Sequence, residues 1–214
     1  MEIRITLSDL ELFAFSDELK KQIVENCSAV LQKKGEIALK QGDPVHRIPL
    51  YLSGESVLSR YSLEKDKNYV ICRVKAGETC PTSLSSVLSN QPSPITGTAL
   101  IDSIKVIVPS HFVFDWQKKY PSWAKFLIKT LASGYACVLD NFHQSMTQSV
   151  EERITQFLSS ATYNQSRTIK LTHEELAHEI GSSRVVVSRI LKGLETTGIL
   201  QLGRGVIMLN SSQN

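Results

Sequence analysis

The spacing of apolar residues divides this 214-residue chain into segments with different predicted structures. Up to about Val30 the spacing predicts a short helical segment, with Ser16 and Asp17 as candidates for its N-cap. Its apolar positions are Leu10, Leu12, Phe13, Phe15, Leu19, Ile23 and Val24. From Val30 to Pro109 short alternating runs are separated by glycine turns, which is typical of an antiparallel β-sandwich or barrel.

A long helical tract is predicted from about Ser122 to Ser149, and Pro121 occupies a position that suits a helix start. Its seam repeats at alternating spacings of three and four, as in a coiled coil, and consists of Ile128, Leu131, Tyr135, Val138, Phe142, Ser145 and Ser149. The stripe could instead pack on the chain's own barrel, but Leu127 and Leu139 lie off the seam and can serve that purpose. We therefore expect a parallel homodimer, with a hinge where the seam turns polar.

The stretch from His173 to Glu195 predicts two short helices joined at Gly181, preceded by an amphipathic helix that starts at Val150. Thr172 and Glu175 have the spacing of a capping box at the first helix, and Gly181 supplies the left-handed conformation that ends it. The expected inner face of that helix is formed by Leu176, Ala177 and Ile180. Ser182 or Ser183 can cap the second helix, which is expected to begin near Arg184.

On the second helix, four apolar residues follow the i, i+3, i+4, i+7 rule and are expected to face the core: Val187, Ile190, Leu191 and Leu194. The opposite face is basic and hydroxyl-bearing. Side chains of these types bind base edges and phosphates, and arginine can bind guanine bidentately. An ordinary solvated helix is the alternative, but the agreement of caps, turn and faces favours a DNA-binding helix-turn-helix. We expect DNA contacts from Thr172, Ser183, Arg184, Val185, Ser188, Arg189 and Lys192.

Two further apolar runs, Ile199 to Leu202 and Val206 to Leu209, flank the sequence Gly203-Arg204-Gly205. Two strands around a glycine-bearing turn predict the wing of a winged helix-turn-helix. Arg204 at the tip of the wing is placed to contact a DNA phosphate, although an exposed turn arginine needs no such role. Both interpretations of Arg204 stay open at this point.

The composition suits two modest domains, with 42% hydrophobic residues and a net charge of only +3. Such a small charge means that DNA binding must depend on a local basic patch. The sequence has no secretory leader and no apolar run long enough to cross a bilayer, so we expect a cytoplasmic protein without membrane contact.

No metal site and no enzymatic activity are expected. The cysteines, Cys27, Cys72, Cys80 and Cys137, show no CxxC spacing. His173 and His178 bracket Glu174 much as in a metalloprotease helix, but they are five residues apart rather than four and so diverge around the helix. We expect them on a solvated helix surface. The sequence also contains no nucleophile elbow, phosphate loop or adjacent acid and base pair.

In this order, barrel, long helix and winged helix-turn-helix resemble the Crp/Fnr superfamily (cyclic-AMP receptor protein / fumarate-nitrate regulator) of bacterial transcription factors. The most specific motif runs from Ile180 to Lys192, IGSSRVVVSRILK, and the likeness covers nearly all of the chain. The pairs Gly35-Glu36, Gly42-Asp43, Ser53-Gly54 and Gly77-Glu78 are similar to the family's barrel turns. The resemblance implies an α+β fold: a sensory β-barrel of the cyclic-nucleotide-binding, jelly-roll type (residues 1–120), a dimerisation helix and hinge (121–149) and a winged helix-turn-helix domain (150–214).

The resemblance also implies that Arg184, Ser188 and Arg189 touch DNA, the same residues that the helical face selects. Two recognition helices, each about residues 184–195, would enter the major groove of a near-palindromic double-stranded site. The alternative is a ligand-sensing module whose C-terminal domain contacts a protein. RNA polymerase is a possible partner, although the segment Ala161 to Lys170 is shorter than the loop that recruits polymerase in activators.

The effector expected from the resemblance is not cyclic AMP. In cyclic-nucleotide-binding members the loop after the Gly77-Glu78 turn supplies a glutamate and an arginine. Here neither charge is present in that loop, residues 79–84, or in the later segment 91–96. The candidate effector pocket consists of Gly77, Glu78, Cys80, Thr82, Ser83, Ser93 and Thr96, with Val138 and Leu139 from the long helix.

With Cys27 as the one N-terminal cysteine, an iron–sulfur cluster is not expected. Cys80-Pro81 resembles the weak cysteine–proline pattern of some haem sensors. Two alternatives for Cys80 stay open: it is a redox thiol, or it is a loop cysteine with no role. A small apolar or uncharged effector, or none, is the remaining expectation, and the cofactor stays unknown.

Val185 departs from the family pattern, because many members carry at this position a glutamate that accepts a hydrogen bond from cytosine N4. A valine cannot accept that bond, but it can contact a thymine methyl group. We therefore predict a half-site that differs from the familiar one at this base. Selection of bound sequences from random DNA measures the preference, and a strong cytosine preference at that base would contradict the prediction.

Overall fold

The computed structural model describes residues 2–63, 67–161 and 167–210. Two compact units result from the distribution of contacts: Met1–Tyr61 with Ile71–Leu139, and Ser62–Val70 with Asp140–Asn214. Residues 162–166, and with them much of the segment on which the expectation about RNA polymerase rests, lie outside the described residues.

The N-terminal half of the chain forms two four-stranded sheets, as the alternating runs predicted. The strands are β1 (Glu2–Ile3), β2 (Ser28–Gln32), β3 (Ile37–Leu39), β4 (Arg47–Ser53), β5 (Glu55–Ser62), β6 (Lys67–Lys75), β7 (Thr96–Ala99) and β8 (Ser103–Pro109). One sheet has the order β1-β2-β8-β4 and the other β3-β7-β5-β6. Both contain antiparallel pairs, such as β2 with β8 and β5 with β7.

Four helices accompany these sheets: α1 (Asp17–Asn26), α2 (Pro81–Ser89), α3 (Ser110–Lys119) and α4 (Pro121–Thr147). The helix predicted before residue 30 is α1, with Ser16 at its N-cap position, although the Ser16 hydroxyl makes no capping bond. The same stretch also holds β1 and a 3₁₀ turn, Ser8–Leu10, which the apolar spacing did not predict.

The alternation along β4 and β8 decides which side chains face the helices and which face the interior of the barrel. Ile48 and Leu50 on β4 join Val106 on β8 in the main core, where Trp123 of α4 is fully buried. The Trp123 indole donates to the Val113 carbonyl at 3.2 Å. The intervening residues of the same strands turn to the other side of the sheet and line the barrel interior.

Helix α2 occupies residues that were expected to form a loop. Pro81 suits its first turn, and the Cys80 sulfur accepts a hydrogen bond from the Ser83 amide at 3.3 Å. Four of its nine residues are serines, which favour turns over helix interiors, so composition concealed the helix. Burial of Leu84 and Val87 stabilises it in spite of that composition.

Helix α4 confirms the long helical tract and corrects one detail of it. Leu127 is buried, as expected, but the expectation that Leu139 packs on the barrel is wrong, because this side chain is 47% exposed. The seam residues Ile128, Leu131, Tyr135, Val138 and Phe142 are exposed as well. The helix ends at Thr147, and Ser149, which directly precedes the next helix, exchanges hydrogen bonds with Glu152. Helix α4 thus ends within the stretch 145–149 in which the hinge is expected, and the hinge itself stays a prediction.

The second unit carries α5 (Val150–Ala161), β9 (Thr168–Ile169), α6 (His173–Ile180), α7 (Arg184–Thr196), β10 (Leu200–Gly203) and β11 (Val206–Leu209). The two predicted wing strands are β10 and β11, and β9 adds a third strand, unpredicted, in the order β10-β11-β9. Ile154, Leu176, Leu191 and Leu200 are fully buried in its core. Within the part of the chain that the structure describes, no helix has both the length and the apolar character required to span a bilayer.

Gly54, in the turn between β4 and β5, provides a test of the barrel's packing. Its φ is +89°, and a Cβ added there would lie 2.6 Å from the Ser103 Cα. Gly54→Ala should therefore lower the free energy of unfolding by about 2–4 kcal/mol through clash and backbone strain. Gly35→Ala is the control, because Gly35 has a φ of +83° but no neighbour within 4 Å, so that only strain of about 1 kcal/mol is expected. Urea unfolding measures both, and equal losses would contradict the predicted clash.

Candidate nucleic-acid interface

Helix α6 has the start and the end that its sequence predicted. The Thr172 hydroxyl accepts from the Glu175 amide at 3.2 Å, while a Glu175 carboxylate oxygen accepts from the Thr172 amide at 2.7 Å. Gly181 ends the helix in the left-handed region at φ +66°, and the Ser182 amide donates back to the Ala177 carbonyl at 2.8 Å. These local bonds reverse the chain after one short helix.

Helix α7 begins at Arg184 and is capped by Ser183, one of the two predicted candidates. The Ser183 hydroxyl accepts from the Val186 amide at 3.3 Å. Val187 and Leu191 are completely buried and Leu194 nearly so, whereas Ile190 is half-buried at the edge of the same cluster. The buried face of α7 therefore agrees with the prediction. Because that face packs on the core, the opposite face of the helix must point to solvent.

On that opposite face the side chains of Arg184, Val185, Arg189 and Lys192 are exposed. Val185 is 79% exposed, although it is apolar. Three of these four residues are cations. The one acidic residue of α7, Glu195, is half-buried, and its Oε1 accepts from the Leu202 amide of β10 at 2.8 Å. The exposed side of α7 is consequently basic and has an apolar position at Val185.

Ser188 lies on the same side of α7 but is half-buried. Its Oγ is 2.9 Å from Nδ1 of His173 on α6. The expectation that His173 belongs to a solvated surface is therefore wrong, since this imidazole is half-buried and hydrogen-bonded. The contact orients the Ser188 hydroxyl, which keeps further hydrogen-bonding capacity for an outside group.

Arg184, Thr172 and Ser183, which are also predicted to contact DNA, already interact with other residues of the chain. Arg184 is paired with Glu174 at 3.9 Å between Nε and Oε2, and both side chains are about 70% exposed. Such a long, solvated pair contributes little and is easily exchanged for a phosphate. Thr172 and Ser183 already use their hydroxyls as caps, so a DNA contact from either would compete with, or add to, the capping bonds.

The wing ends in a two-residue turn. Gly203 pairs with Val206, which leaves Arg204 and Gly205 at the tip, and Gly205 has a φ of +69°. Arg204 is exposed, so it is free to extend from the end of the ribbon. Beneath the wing, Leu200 and Ile207 are fully buried, which anchors the ribbon on the same core as α7.

The predicted effector residues coincide only in part with the cavity inside the barrel. The barrel interior contains a cavity of about 610 Å³, and of the nine predicted residues only Cys80 and Ser83 are among those that line it. Val138 and Leu139 are exposed on α4. The described residues contain no cluster of three or more side chains able to hold a metal ion, and all four cysteines are free thiols. Burial raises the pKa of the Cys27 thiol to about 12.

Lys105 was not among the predicted site residues, and it is buried on the barrel face of β8. The period-two pattern of Ser103 to Pro109 does contain the signal, because Lys105 alternates with Ile104 and Val106, which face the helices. A lysine in the middle of a strand is ordinarily assigned to an exposed face, and here both faces of the sheet are covered.

Comparisons with known proteins agree with this arrangement. The family model described as the Crp-like helix-turn-helix domain matches residues 152–213. A candidate transcriptional regulator of the Crp/Fnr family from Eubacterium rectale is 26% identical, with a TM-score of 0.81 and 92% of each chain covered. A Crp/Fnr-family regulator from Thermus thermophilus is 22% identical, with a TM-score of 0.68 over 86% of this chain and 93% of its own. A comparison with curated protein sequences gives no significant match.

The same fold occurs in CLP from Xanthomonas campestris, a global regulator that responds to c-di-GMP. It is 14% identical, with a TM-score of 0.79 over 92% of this chain and 100% of its own. The expected fold class, with N-terminal antiparallel sheets, a long helix and a C-terminal helix-turn-helix with a small β wing, is thus confirmed.

Proposed function

Since this chain belongs to the Crp/Fnr family of DNA-binding transcription regulators, we propose that it acts as a homodimer whose α7 helices enter the major groove of a near-palindromic site. The family consists of regulators rather than enzymes, in agreement with the expectation from sequence. A regulator of this kind works on the chromosome, so we place it in the cytoplasm of a bacterium.

The observation that carries the proposal is the exposed basic side of α7. Arg184, Arg189 and Lys192 are held outward by the burial of Val187 and Leu191 on the other side. Because Glu195 is bonded to the wing, no carboxylate of α7 opposes a DNA phosphate there. In the proposed complex Arg189 binds a base edge, Ser188 a base or phosphate, and Arg204 a phosphate beside the wing.

The exposed seam of α4 supports the homodimer. Ile128, Tyr135 and Phe142 lie two turns apart along the helix and are each at least 60% exposed, although they are large and apolar or aromatic. Pairing with the same stripe of a second copy would remove these side chains from water. Half-sites one DNA turn apart need recognition helices about 34 Å apart, which a two-fold dimer can supply.

We further propose that cyclic AMP is not the effector. Helix α2, which replaces the expected loop after Gly77-Glu78, contains no charged residue between Pro81 and Ser89. A cyclic phosphate would find no arginine there with which to form a paired, charge-assisted hydrogen bond. Because this inference concerns the barrel alone, it does not depend on how the second unit binds DNA.

A module that contacts a protein instead of DNA is the second candidate, favoured by the apolar, exposed Val185. Salt dependence distinguishes the two functions. DNA binding releases counterions, so the logarithm of the association constant should fall steeply and linearly with the logarithm of salt concentration. A protein-binding module would show no DNA affinity with such a slope.

Arg189→Ala tests the role of α7. The variant should lose about ten- to a hundredfold in affinity for a selected DNA site, because a bidentate arginine–guanine contact is removed. Arg60→Ala is the matched control, because Arg60 is an exposed arginine of the first unit and is not among the residues expected to contact DNA, so its loss should change affinity less than about twofold. Fluorescence anisotropy with a labelled site measures both variants. Equal affinities of Arg189→Ala and wild type would contradict the proposed contact.

Tyr135→Asp tests the dimer. Tyr135 is 67% exposed at the middle of the seam, and a carboxylate there would meet its own copy across a parallel interface. We expect sedimentation velocity to show dimers for the wild type and monomers for the variant. Lys129→Asp introduces the same side chain at an exposed position of α4 off the seam and should remain dimeric. A wild-type protein that is monomeric at every concentration would disprove the homodimer.

A further inference from the structure

The interior of the barrel contains a cavity of about 610 Å³, which is within the range of roughly 300–1,000 Å³ that is typical of small-molecule sites. Its walls come from both sheets and are largely apolar. The apolar lining includes Leu39, Val45, Pro49, Leu58, Ile95 and Ile107. The cavity extends well beyond the loop that the sequence indicated, because β2, β4 and β8 contribute much of its lining.

Lys105 places an ammonium group on this wall. Lys105 is only 2% exposed. Its Nζ contacts Gln32 Oε1, lies 3.2 Å from Ser56 Oγ, and lies 4.3 Å from the centroid of the Tyr51 ring. All three neighbours are neutral. Among the described residues, none places a carboxylate within 4 Å of Nζ.

A buried ammonium without a counter-ion is costly, because neutral hydrogen bonds replace only part of its hydration. Burial accordingly lowers the pKa of Lys105 to about 8. Of the other charged residues that line the cavity, Arg47 adds positive charge, and Asp43 uses an oxygen to accept from the Lys40 amide at 2.9 Å. The Asp43 carboxylate makes no ion pair with Lys105 within 4 Å, so the ammonium has no counter-ion in contact with it among the described residues.

We propose that this cavity binds a small organic carboxylate, with the carboxylate against Lys105 and the apolar part of the ligand against the surrounding aliphatic side chains. One compact ammonium balances one negative charge, which favours a monocarboxylate over a doubly charged phosphate ester. The expectation of an apolar or uncharged effector changes accordingly. Binding is a property of the barrel and does not depend on the proposed DNA contacts.

The test uses the full chain, without DNA, and straight-chain carboxylates from acetate to decanoate, each with its uncharged amide. Longer carboxylates should raise the barrel's melting temperature, at a hundredfold excess over Kd by about 5–10 °C, whereas the amides should not. Lys105→Met should lose this shift, and Lys33→Met, which removes an exposed lysine of the same unit, should retain it. The proposal fails if no carboxylate exceeds its amide, or if Lys105→Met responds as the wild type does.

The Lys105→Met variant should fold at least as stably as the wild type, because it exchanges a buried charge for an apolar side chain of similar length. Should it fail to fold, the pH dependence of the wild type decides. The protonated lysine binds the carboxylate, so affinity is present below a pKa of about 8 and is lost as the pH rises through it.

Between pH 7.5 and 9.5, calorimetry should therefore show a carboxylate affinity that weakens by roughly twenty- to thirtyfold, while amide binding stays constant. The titratable groups packed against Lys105 are Tyr51 on β4, whose pKa burial raises, and Cys80 at the start of α2; His46 and Asp43 also line the cavity. Cys80→Ser removes the thiol and should leave the pH profile unchanged. A carboxylate affinity that is independent of pH over this range would overturn the proposal.

Discussion

The burial of one side of α7 is the constraint on which the candidate DNA interface depends. Val187 and Leu191 are completely enclosed, so α7 cannot rotate about its own axis without exposing them. Arg189 and Lys192 are consequently held outward, whatever their own interactions with solvent. Burying an aliphatic side chain contributes roughly 1.5–3 kcal/mol, well above the energy of the exposed pair between Arg184 and Glu174. Packing rather than surface charge therefore presents the basic side.

The long helix α4 has one side buried against the barrel and another, apolar side exposed to solvent. Toward the barrel, Trp123 and Leu127 are buried, and Gly134 permits close approach, since a Cβ there would lie 2.6 Å from the Pro81 Cβ. On its outer side the same helix leaves Ile128 and Tyr135 in water. Exposure of that stripe does not stabilise a monomer, whereas pairing of two copies would bury it. The proposed dimer contact and the proposed DNA contact would then lie on different helices, α4 and α7.

Both faces of the sheet that contains β8 are covered, so a charged side chain on this strand can be buried although its sequence position suggests exposure. On β8 the residues that alternate with Val106 and Val108 face the cavity, and one of them is a lysine. Its three contacts come from β2, β4 and β5, so the ammonium is held in position by strands distant in sequence. The cost of its burial is the physical reason to expect an anionic ligand there.

Features that depend on neighbours three to five residues apart could be predicted from the order of residues alone: the Thr172 and Glu175 capping box, the Gly181 turn and the Ser183 cap. The heptad spacing likewise determined the exposed stripe of α4. Features that depend on contacts between distant segments became visible only in the folded chain: the serine-rich helix α2, the hydrogen bond between His173 and Ser188, and the cavity around Lys105. Local hydrogen bonds follow from spacing, whereas burial depends on which distant segments pack together, and no local pattern specifies that.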